Sequence, residues 1–196
     1  MIEIPEGLPL TVSPLTVADL DELMAIERAV QAAPWPRAGY QQELEQNELA
    51  FYWAVKQTPA QSSTNSWFNA LRHPHPLRGY AGYWLMVDEA HISIIAVDPA
   101  WQRRGIGELL LLVMLDDAIR RQALLMTLEV RQTNQAAQAL YEKYQFQIVG
   151  RRKRYYRDSN EDAQIMTVAE IQGARYRTFL AERSEALFAH MQGALA

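Results

Sequence analysis

Apolar residues repeat along this chain with two spacings, and each spacing predicts one kind of element. Spacings of three or four residues indicate helices, and short apolar or aromatic runs bounded by turn residues indicate strands. The predicted helices are one between Asp19 and Pro34, one around Tyr40 and Leu44, and three at residues 105–122, 135–144 and 169–196. The predicted strands are residues 8–12, 50–55, 80–87, 91–97, 124–130, 146–157 and 164–168.

The order of these elements predicts the fold class. One strand, two helices and three strands are followed by helix, strand, helix and two strands, and a helix ends the chain. This order suits an α/β fold in which helices cover a mixed sheet. The strands that flank residues 105–122 should pair in parallel, because a crossover through a helix makes them neighbours. A length of 196 residues suits one domain with a full core.

The strand at residues 91–97 contains an irregularity. Ile92 and Ile94 share one parity, whereas Ile95 and Val97 share the other. Such a change of phase indicates a β-bulge. A strand that is buried on both faces would show the same pattern, because its apolar residues need not alternate. Both interpretations stay open at this point.

Residues 57–79 are dense in Pro, Ser, Asn and Gln. This composition predicts a surface insertion rather than a linker between domains. His73 and His75 lie within it, but companion ligands are missing from the segment, so we expect no metal site.

Composition and charge restrict the possible functions. The chain has no Cys, which excludes disulfides, thiolate zinc sites and a cysteine-bound acyl intermediate. The net charge of −4 argues against a whole-surface nucleic-acid binder. No apolar run approaches the roughly 20 residues that span a bilayer, and the start has no pattern of a secretory signal. We therefore expect a cytoplasmic protein that binds neither membranes nor nucleic acid directly.

A glycine-containing loop at residues 102–107 opens the helix at 105–122. Backbone N–H groups at a helix start suit a phosphate, but two glycines also suit a simple tight turn. Arg103 and Arg104 favour the anion. A nicotinamide or nucleotide enzyme is disfavoured, because Leu110 replaces the third glycine of the dinucleotide fingerprint and no Walker A sequence follows.

Gln102-x-x-Gly105-x-Gly107, after Ile95-Ala96-Val97, resembles motif A of the GNAT family of N-acetyltransferases. The resemblance covers roughly residues 8–166 and includes several further motifs. Those that resemble the family's next strand and helix are Leu128-Glu129-Val130-Arg131, Asn134, Ala139-Leu140-Tyr141-Glu142 and Phe146. Those that are similar to RimI-type ribosomal-protein-alanine N-acetyltransferases are Glu27-Arg28, Pro34-Trp35, residues 151–156, Glu161-Asp162-Ala163 and Met166.

The resemblance implies a GNAT fold at residues 1–168, followed by a helical extension at 169–196. The implied sheet is largely antiparallel, with a central parallel pair that splays around acetyl-CoA, the implied co-substrate. The residues implied to bind acetyl-CoA are Ile95, Ala96 and Val97 along the pantetheine arm, Arg103, Arg104, Gly105, Ile106, Gly107 and Glu108 around the pyrophosphate, and Asn134. The same Asn134 is also expected to cap a helix.

The resemblance further implies that Glu129 is the general base and Tyr141 the general acid of a direct acetyl transfer. Burial in an apolar strand should raise the pKa of Glu129 into a useful range. The alternatives are that Glu129 faces outward and pairs with Arg131 or another cation, and that Tyr141 is an aromatic residue of the core. A direct attack needs no Cys-bound intermediate.

The implied acceptor is the N-terminal alanine of a ribosomal protein, the small-subunit protein numbered eighteen. The alternatives are a GNAT enzyme for a small-molecule amine or a lysine side chain, and a non-catalytic acyl-CoA-binding module. Tyr155 and Tyr156 are implied to border the acceptor groove, whereas the basic run at 151–157 suits a solvated strand edge better than RNA binding. Gln31 stands in place of an expected His. Gln145 replaces a usual glycine, at a cost of about 1 kcal/mol if its φ is positive.

Overall fold

A seven-stranded sheet with the order β1-β2-β3-β4-β5-β7-β6 forms the centre of the computed structural model, which describes residues 2–58 and 76–195. The strands are β1 Leu10–Pro14, β2 Ala50–Gln57, β3 Leu77–Met86, β4 Glu89–Val97, β5 Leu125–Arg131, β6 Gln147–Tyr156 and β7 Glu161–Val168. Strands β4 and β5 are parallel, and every other neighbouring pair is antiparallel. The predicted mixed, largely antiparallel sheet with one parallel pair is confirmed.

The described ranges contain the five α-helices α1 Leu20–Val30, α2 Arg37–Gln46, α3 Ile106–Arg120, α4 Gln135–Lys143 and α5 Ala174–Leu195. Single 3-10 turns precede α1 and α3. A capping box forms at the first of these turns, since the backbone N–H of Thr16 donates to the Asp19 carboxylate at 2.9 Å. Helix α5 begins later than predicted, because residues 169–173 turn before it. The predicted domain division at residue 168 stays a prediction.

Side chains of the sheet alternate between two cores. Trp53 and Val55 of β2 point into a large core that contains α3 and α5, whereas Tyr52 and Ala54 point into a smaller core beneath α1 and α2. This alternation follows from the period of two in a strand. Helix α3 lies between the sheet and α5, which explains why nearly its whole circumference is apolar.

Three predicted strand boundaries are wrong, namely the end of β1, the end of β2 and the start of β3. Strand β1 includes Pro14, which it tolerates because β1 is an edge strand and one side of its backbone needs no donor. Residues 77–79, predicted as the end of an insertion, form the start of β3 instead, and Gln57 belongs to β2. Residues 59–75, with His73 and His75, lie outside the described residues.

The predicted irregularity in β4 is a β-bulge. Ile94 pairs with Gly82 and Ile92 with Tyr83, so Ser93 is the extra residue. The parallel pairing of β4 with β5 ends at Ile92, which lies opposite Leu128. Beyond the bulge the two strands separate, and this gap positions the candidate site.

Gln145 has a φ of 67°, in the left-handed region that glycine tolerates best. The expected strain at this helix end is therefore present. Concerning membranes, no helix in the described ranges is both long enough and apolar enough to cross a bilayer.

Candidate active site

A cavity of about 410 Å³ opens where β4 and β5 separate. It brings together several residues that the sequence singled out, from two strands, one helix and the β6 edge. These are Ile95, Glu129, Asn134, Tyr141, Tyr155 and Tyr156. The predicted catalytic pair and one end of the predicted pantetheine strand thus face one space.

The remaining predicted cofactor residues lie outside the cavity lining. Ala96 and Val97 continue β4, and residues 103–108 form the turn into α3. A β-carbon added to Gly107 would lie 3.7 Å from Cγ2 of Val97, so the loop follows directly from the end of the strand.

Two features of this region fit a long, anionic co-substrate. First, in the described chain no strand pairs with the β5-facing edge of β4 after Ile92, which leaves backbone groups for an extended ligand. Second, Arg103 and Gly105 have φ values of 64° and 86°, and no side chain caps the helix at Gly105. The N–H groups of the first turn therefore point outward, as a pyrophosphate requires.

Glu108 is tied to α4 by its side chain. Its carboxylate lies 2.6 Å from Nζ of Lys143 and accepts a hydrogen bond from the Tyr144 hydroxyl at 3.0 Å. Any contact of Glu108 with an anion would therefore come from its backbone N–H. Asn134 likewise uses its side-chain oxygen to cap α4, at 3.1 Å from the backbone N–H of Ala137. Only its Nδ2 atom is left to contact a cofactor.

The Glu129 side chain is buried between His91 and Arg152. Its carboxylate lies 2.9 Å from Nε2 of His91 and 2.9 Å from Nη2 of Arg152. The hydrogen bond with His91, with further contributions from the charges of His91 and Arg152, outweighs burial and lowers the pKa of Glu129. The expectation that burial raises this pKa is wrong, because these two partners stabilise the charged form.

Glu129 does pair with a cation, as one alternative from the sequence predicted, but its partner is Arg152 and not Arg131. The Arg131 guanidinium binds Asp158 at 2.7 Å and Glu161 at 3.3 Å across the β6–β7 turn. It also stacks on Tyr156, with 3.9 Å between the guanidinium carbon and the ring centroid. Burial is the main reason why the pKa of Tyr156 rises to about 12, although Arg131 opposes that rise.

His91 was missed by the reasoning from sequence. It lines the cavity, and its imidazole stacks on the Trp84 ring with 6.1 Å between the centroids. In the parallel register His91 lies opposite Thr127, so Glu129 is two residues further on the same face. The sequence did show a histidine in one apolar strand and a single carboxylate in the strand predicted to pair with it. It did not show the register of the two strands, which decides whether the two side chains are neighbours.

Tyr141 projects from α4 into the cavity and also belongs to the core. Its ring centroid lies 5.7 Å from that of Phe146. Burial, followed by the nearby Tyr156, raises the pKa of the Tyr141 phenol well above its usual range. The phenol therefore keeps its proton until a strong acceptor is in contact with it. Both roles considered from the sequence, an acid and a core aromatic, are compatible with this position.

A second cavity, of about 360 Å³, adjoins the first beneath α1 and α2. The two share Gln31, Trp84, Ser93 and Ile94 in their walls. At its base the buried Glu27 carboxylate accepts hydrogen bonds from the backbone of Trp35, at 2.9 Å, and from the Tyr80 hydroxyl. The second cavity therefore lies on the other side of a wall that it shares with the cavity of Glu129.

The basic run lies on β6, an edge strand whose residues are mostly exposed, as the solvated-edge interpretation predicts. Arg151 approaches Asp162 at 3.4 Å, and Arg152 alone reaches the cavity carboxylate. In the described ranges no group of three His, Asp or Glu side chains is arranged to hold a metal ion.

Comparisons with known proteins agree with this geometry. The model of the acetyltransferase (GNAT) family matches residues 20–146. A putative ribosomal protein bS18-alanine N-acetyltransferase of Bacillus subtilis is 32% identical over 154 residues, which cover 79% of this chain and 91% of that protein. The N-alpha-acetyltransferase RimI of Mycobacterium tuberculosis is 36% identical over 164 residues, with coverages of 81% and 91%.

A solved structure extends the agreement from sequence to fold. The crystal structure of the ribosomal-protein-S18-alanine N-acetyltransferase from Escherichia coli has a TM-score of 0.67 and 31% identity to this chain. It covers 82% of this chain and 94% of its own. The chain therefore belongs to the acetyltransferase (GNAT) family and to its RimI type, and it is an acetyl-CoA-dependent N-acetyltransferase.

Proposed function

We propose that this enzyme acetylates the N-terminal amine of a protein, with the N-terminal alanine of ribosomal protein bS18 as its acceptor. The observation that carries the proposal is the cavity in which His91, Glu129 and Tyr141 lie between separated strands. The names of the relatives in Bacillus subtilis and Escherichia coli support the acceptor, since both refer to an alanine of this ribosomal protein. With such an acceptor the enzyme would work in the cytoplasm.

Acetyl-CoA would bind along the second half of β4 and across the start of α3. The backbone of Ile95, Ala96 and Val97 would hold the pantetheine arm, because β4 has no strand partner on that edge. The N–H groups and cations of residues 103–108 would bind the pyrophosphate. Asn134 would add a contact through Nδ2.

The reaction joins the amine nitrogen to the acetyl carbonyl carbon and breaks the bond from that carbon to sulfur. An α-amino group titrates near ~7.7–8, so much of it is protonated at neutral pH. The ammonium group must lose one proton before the attack and the nitrogen loses another as the amide forms, while the thiolate takes one up. The site therefore needs a proton acceptor and a proton donor.

Glu129 would accept the proton from the amine, and His91 would orient the carboxylate through the bond to Nε2. The Arg152 side chain is 54% exposed, so an incoming ammonium group can displace its guanidinium from the other carboxylate oxygen. This exchange would bring the ammonium N–H into direct contact with the carboxylate oxygen that accepts its proton.

Tyr141 would return a proton to the leaving thiolate. A high pKa makes a phenol a weak acid in water, but the same burial raises the proton affinity of a thiolate beside it. Proton transfer between the two groups then depends on their direct contact.

The test uses the full chain, acetyl-CoA and a peptide with the N-terminal sequence of bS18. Thiol release gives the rate, and mass spectrometry locates the acetyl group. We expect acetylation of the alanine amine and strong loss of rate in Glu129→Gln. The matched controls are the same peptide with a blocked N-terminus, a lysine peptide and spermidine. Faster acetylation of either alternative acceptor would contradict the proposed acceptor.

A further inference from the structure

The C-terminal helix α5 lies beyond residue 146, where the matched family model ends, yet it packs against the loop assigned above to the pyrophosphate. A β-carbon placed on Gly105 would lie 2.8 Å from Cγ of Met191 and 3.1 Å from Cδ1 of Leu187. Both side chains are buried, Met191 completely. The outer face of the Gly105 turn is therefore in tight contact with α5.

The same C-terminal segment also contacts the other end of α3. The Gln172 side-chain amide donates to the carbonyl oxygens of Ile119 and Ala123, each at 2.8 Å. Ile119 is 14 residues after Gly105, a distance of about 21 Å along a helix, and the 19 residues from Gln172 to Met191 are long enough to span it. The segment thus holds α3 at both ends.

A third contact joins α5 to Tyr144, the residue that hydrogen-bonds to Glu108. The Tyr176 hydroxyl donates to the Tyr144 carbonyl oxygen at 3.0 Å, and the Tyr144 hydroxyl in turn donates to Glu108 at 3.0 Å. Phe179 packs edge-on against the Tyr144 ring, with centroids 6.3 Å apart. Two separate chains of contact therefore lead from α5 to the first turn of α3.

We propose that Met191 and Leu187 are positioning residues for acetyl-CoA, and that the docking of α5 and the binding of acetyl-CoA strengthen each other. The inference rests on the proposed role of residues 103–108. Gly105 has a left-handed backbone, and packing from α5 against its outer face would keep the N–H groups of the turn aimed outward. Neither positioning residue touches the acceptor cavity.

The first test compares Met191→Ala with Leu180→Ala. Leu180 is buried in the same helix but lines a groove beside Ile119, at the far end of α3. Both variants remove apolar volume from one core. We expect Met191→Ala to raise the dissociation constant and the KM for acetyl-CoA about fivefold or more, with the acceptor KM unchanged. Leu180→Ala should lower the melting temperature similarly and leave acetyl-CoA binding within about twofold.

Met191→Leu should restore acetyl-CoA affinity, because it refills the contact with Gly105. Equal affinity losses in Met191→Ala and Leu180→Ala would overturn the inference but leave the proposed function intact. A wild-type chain that does not bind acetyl-CoA in calorimetry would overturn the proposed function and the inference together.

Hydrogen exchange of the wild-type chain tests the coupling without any variant that risks unfolding. Coupling between two binding events is reciprocal, so acetyl-CoA should slow exchange of the amides at residues 185–193. The amides of β2, at residues 50–57, are the internal control and should change less. Unchanged exchange at 185–193, in a sample saturated with acetyl-CoA, would contradict the proposal.

Discussion

Asp117 and Glu129 are both buried carboxylates, with 2% and 5% of their side chains exposed, but their surroundings differ. Asp117 lies on α3, where one oxygen accepts hydrogen bonds from the Tyr83 hydroxyl at 2.7 Å, Trp53 Nε1 at 3.3 Å and Arg121 Nε at 3.0 Å. A carboxylate oxygen with three donors has no further capacity to accept a proton or a ligand.

Each oxygen of Glu129, by contrast, contacts one side-chain nitrogen, and one of the two partners is the half-exposed Arg152. Glu129 also lines the main cavity with Tyr141. Burial and charge therefore do not distinguish a structural carboxylate from one that is proposed to act in catalysis. The number of donors on each oxygen and the mobility of those donors do.

The sharpest test of the comparison is Glu129→Gln. We expect kcat to fall about 100-fold or more, because general base catalysis typically contributes that much, while the free energy of unfolding changes little. Steady-state kinetics and thermal unfolding of the same preparation give both quantities. Full activity in this variant would remove Glu129 from the mechanism.

Tyr141→Phe tests the second group of the cavity. The phenol proton is lost but the ring remains in the core, so we expect kcat to fall about 10- to 100-fold with a nearly unchanged melting temperature. Leu140→Ala, at the neighbouring position of α4, is the control for an indirect effect of packing. A smaller loss of kcat in Tyr141→Phe than in Leu140→Ala would indicate that the tyrosine acts only as a core aromatic.

Asp117→Asn should lower the stability of the protein and leave its activity unchanged, the opposite of what is expected for Glu129→Gln. The substitution weakens three hydrogen bonds to a charged group, so we expect the free energy of unfolding to fall by about 2 kcal/mol. Well below the melting temperature, kcat and both KM values should match those of the wild type. Chemical denaturation and kinetics measure the two effects, and a large loss of kcat at unchanged stability would break the comparison.

Arg152→Ala should shift the pH dependence of activity. The guanidinium helps to lower the pKa of Glu129 in the free enzyme, so its removal should move the acidic limb of the kcat/KM profile to higher pH. The sign for stability follows from linkage. A lowered pKa in the folded state stabilises the protein above the ordinary pKa of a glutamate, and this contribution is lost as the pH falls through the lowered value. Arg151→Ala, on the same strand, should leave the profile unchanged.

The smallest expected effect is at Gln145, which contacts neither carboxylate. Gln145→Gly should raise the free energy of unfolding by about 0.5–1 kcal/mol, because glycine relieves the positive φ at the end of α4. Activity should stay the same, which makes this variant a control for changes of stability alone. A lower stability would mean that the backbone at Gln145 is not strained.

Much of the fold follows from local patterns. The phase change between Ile94 and Ile95 indicated either a β-bulge or a strand buried on both faces, and the structure shows the bulge, at Ser93. The parallel pair followed from the crossover through α3. The start of β3 was missed, because Leu77, Arg78 and Gly79 continue a segment rich in turn residues and become a strand only through pairing with β2.

The sequence alone was enough to predict the class of the sheet and the place of an irregularity in β4. Its motifs also identified the family, the unusual Gln145 and Glu129 as the candidate base. The tertiary structure decided what surrounds that carboxylate. His91 is 38 residues away in the chain and Arg152 is 23 residues away, and only the strand registers bring them to 2.9 Å. Local patterns record which face a side chain takes, but not which distant residue will lie beside it, because register is a property of the assembled sheet.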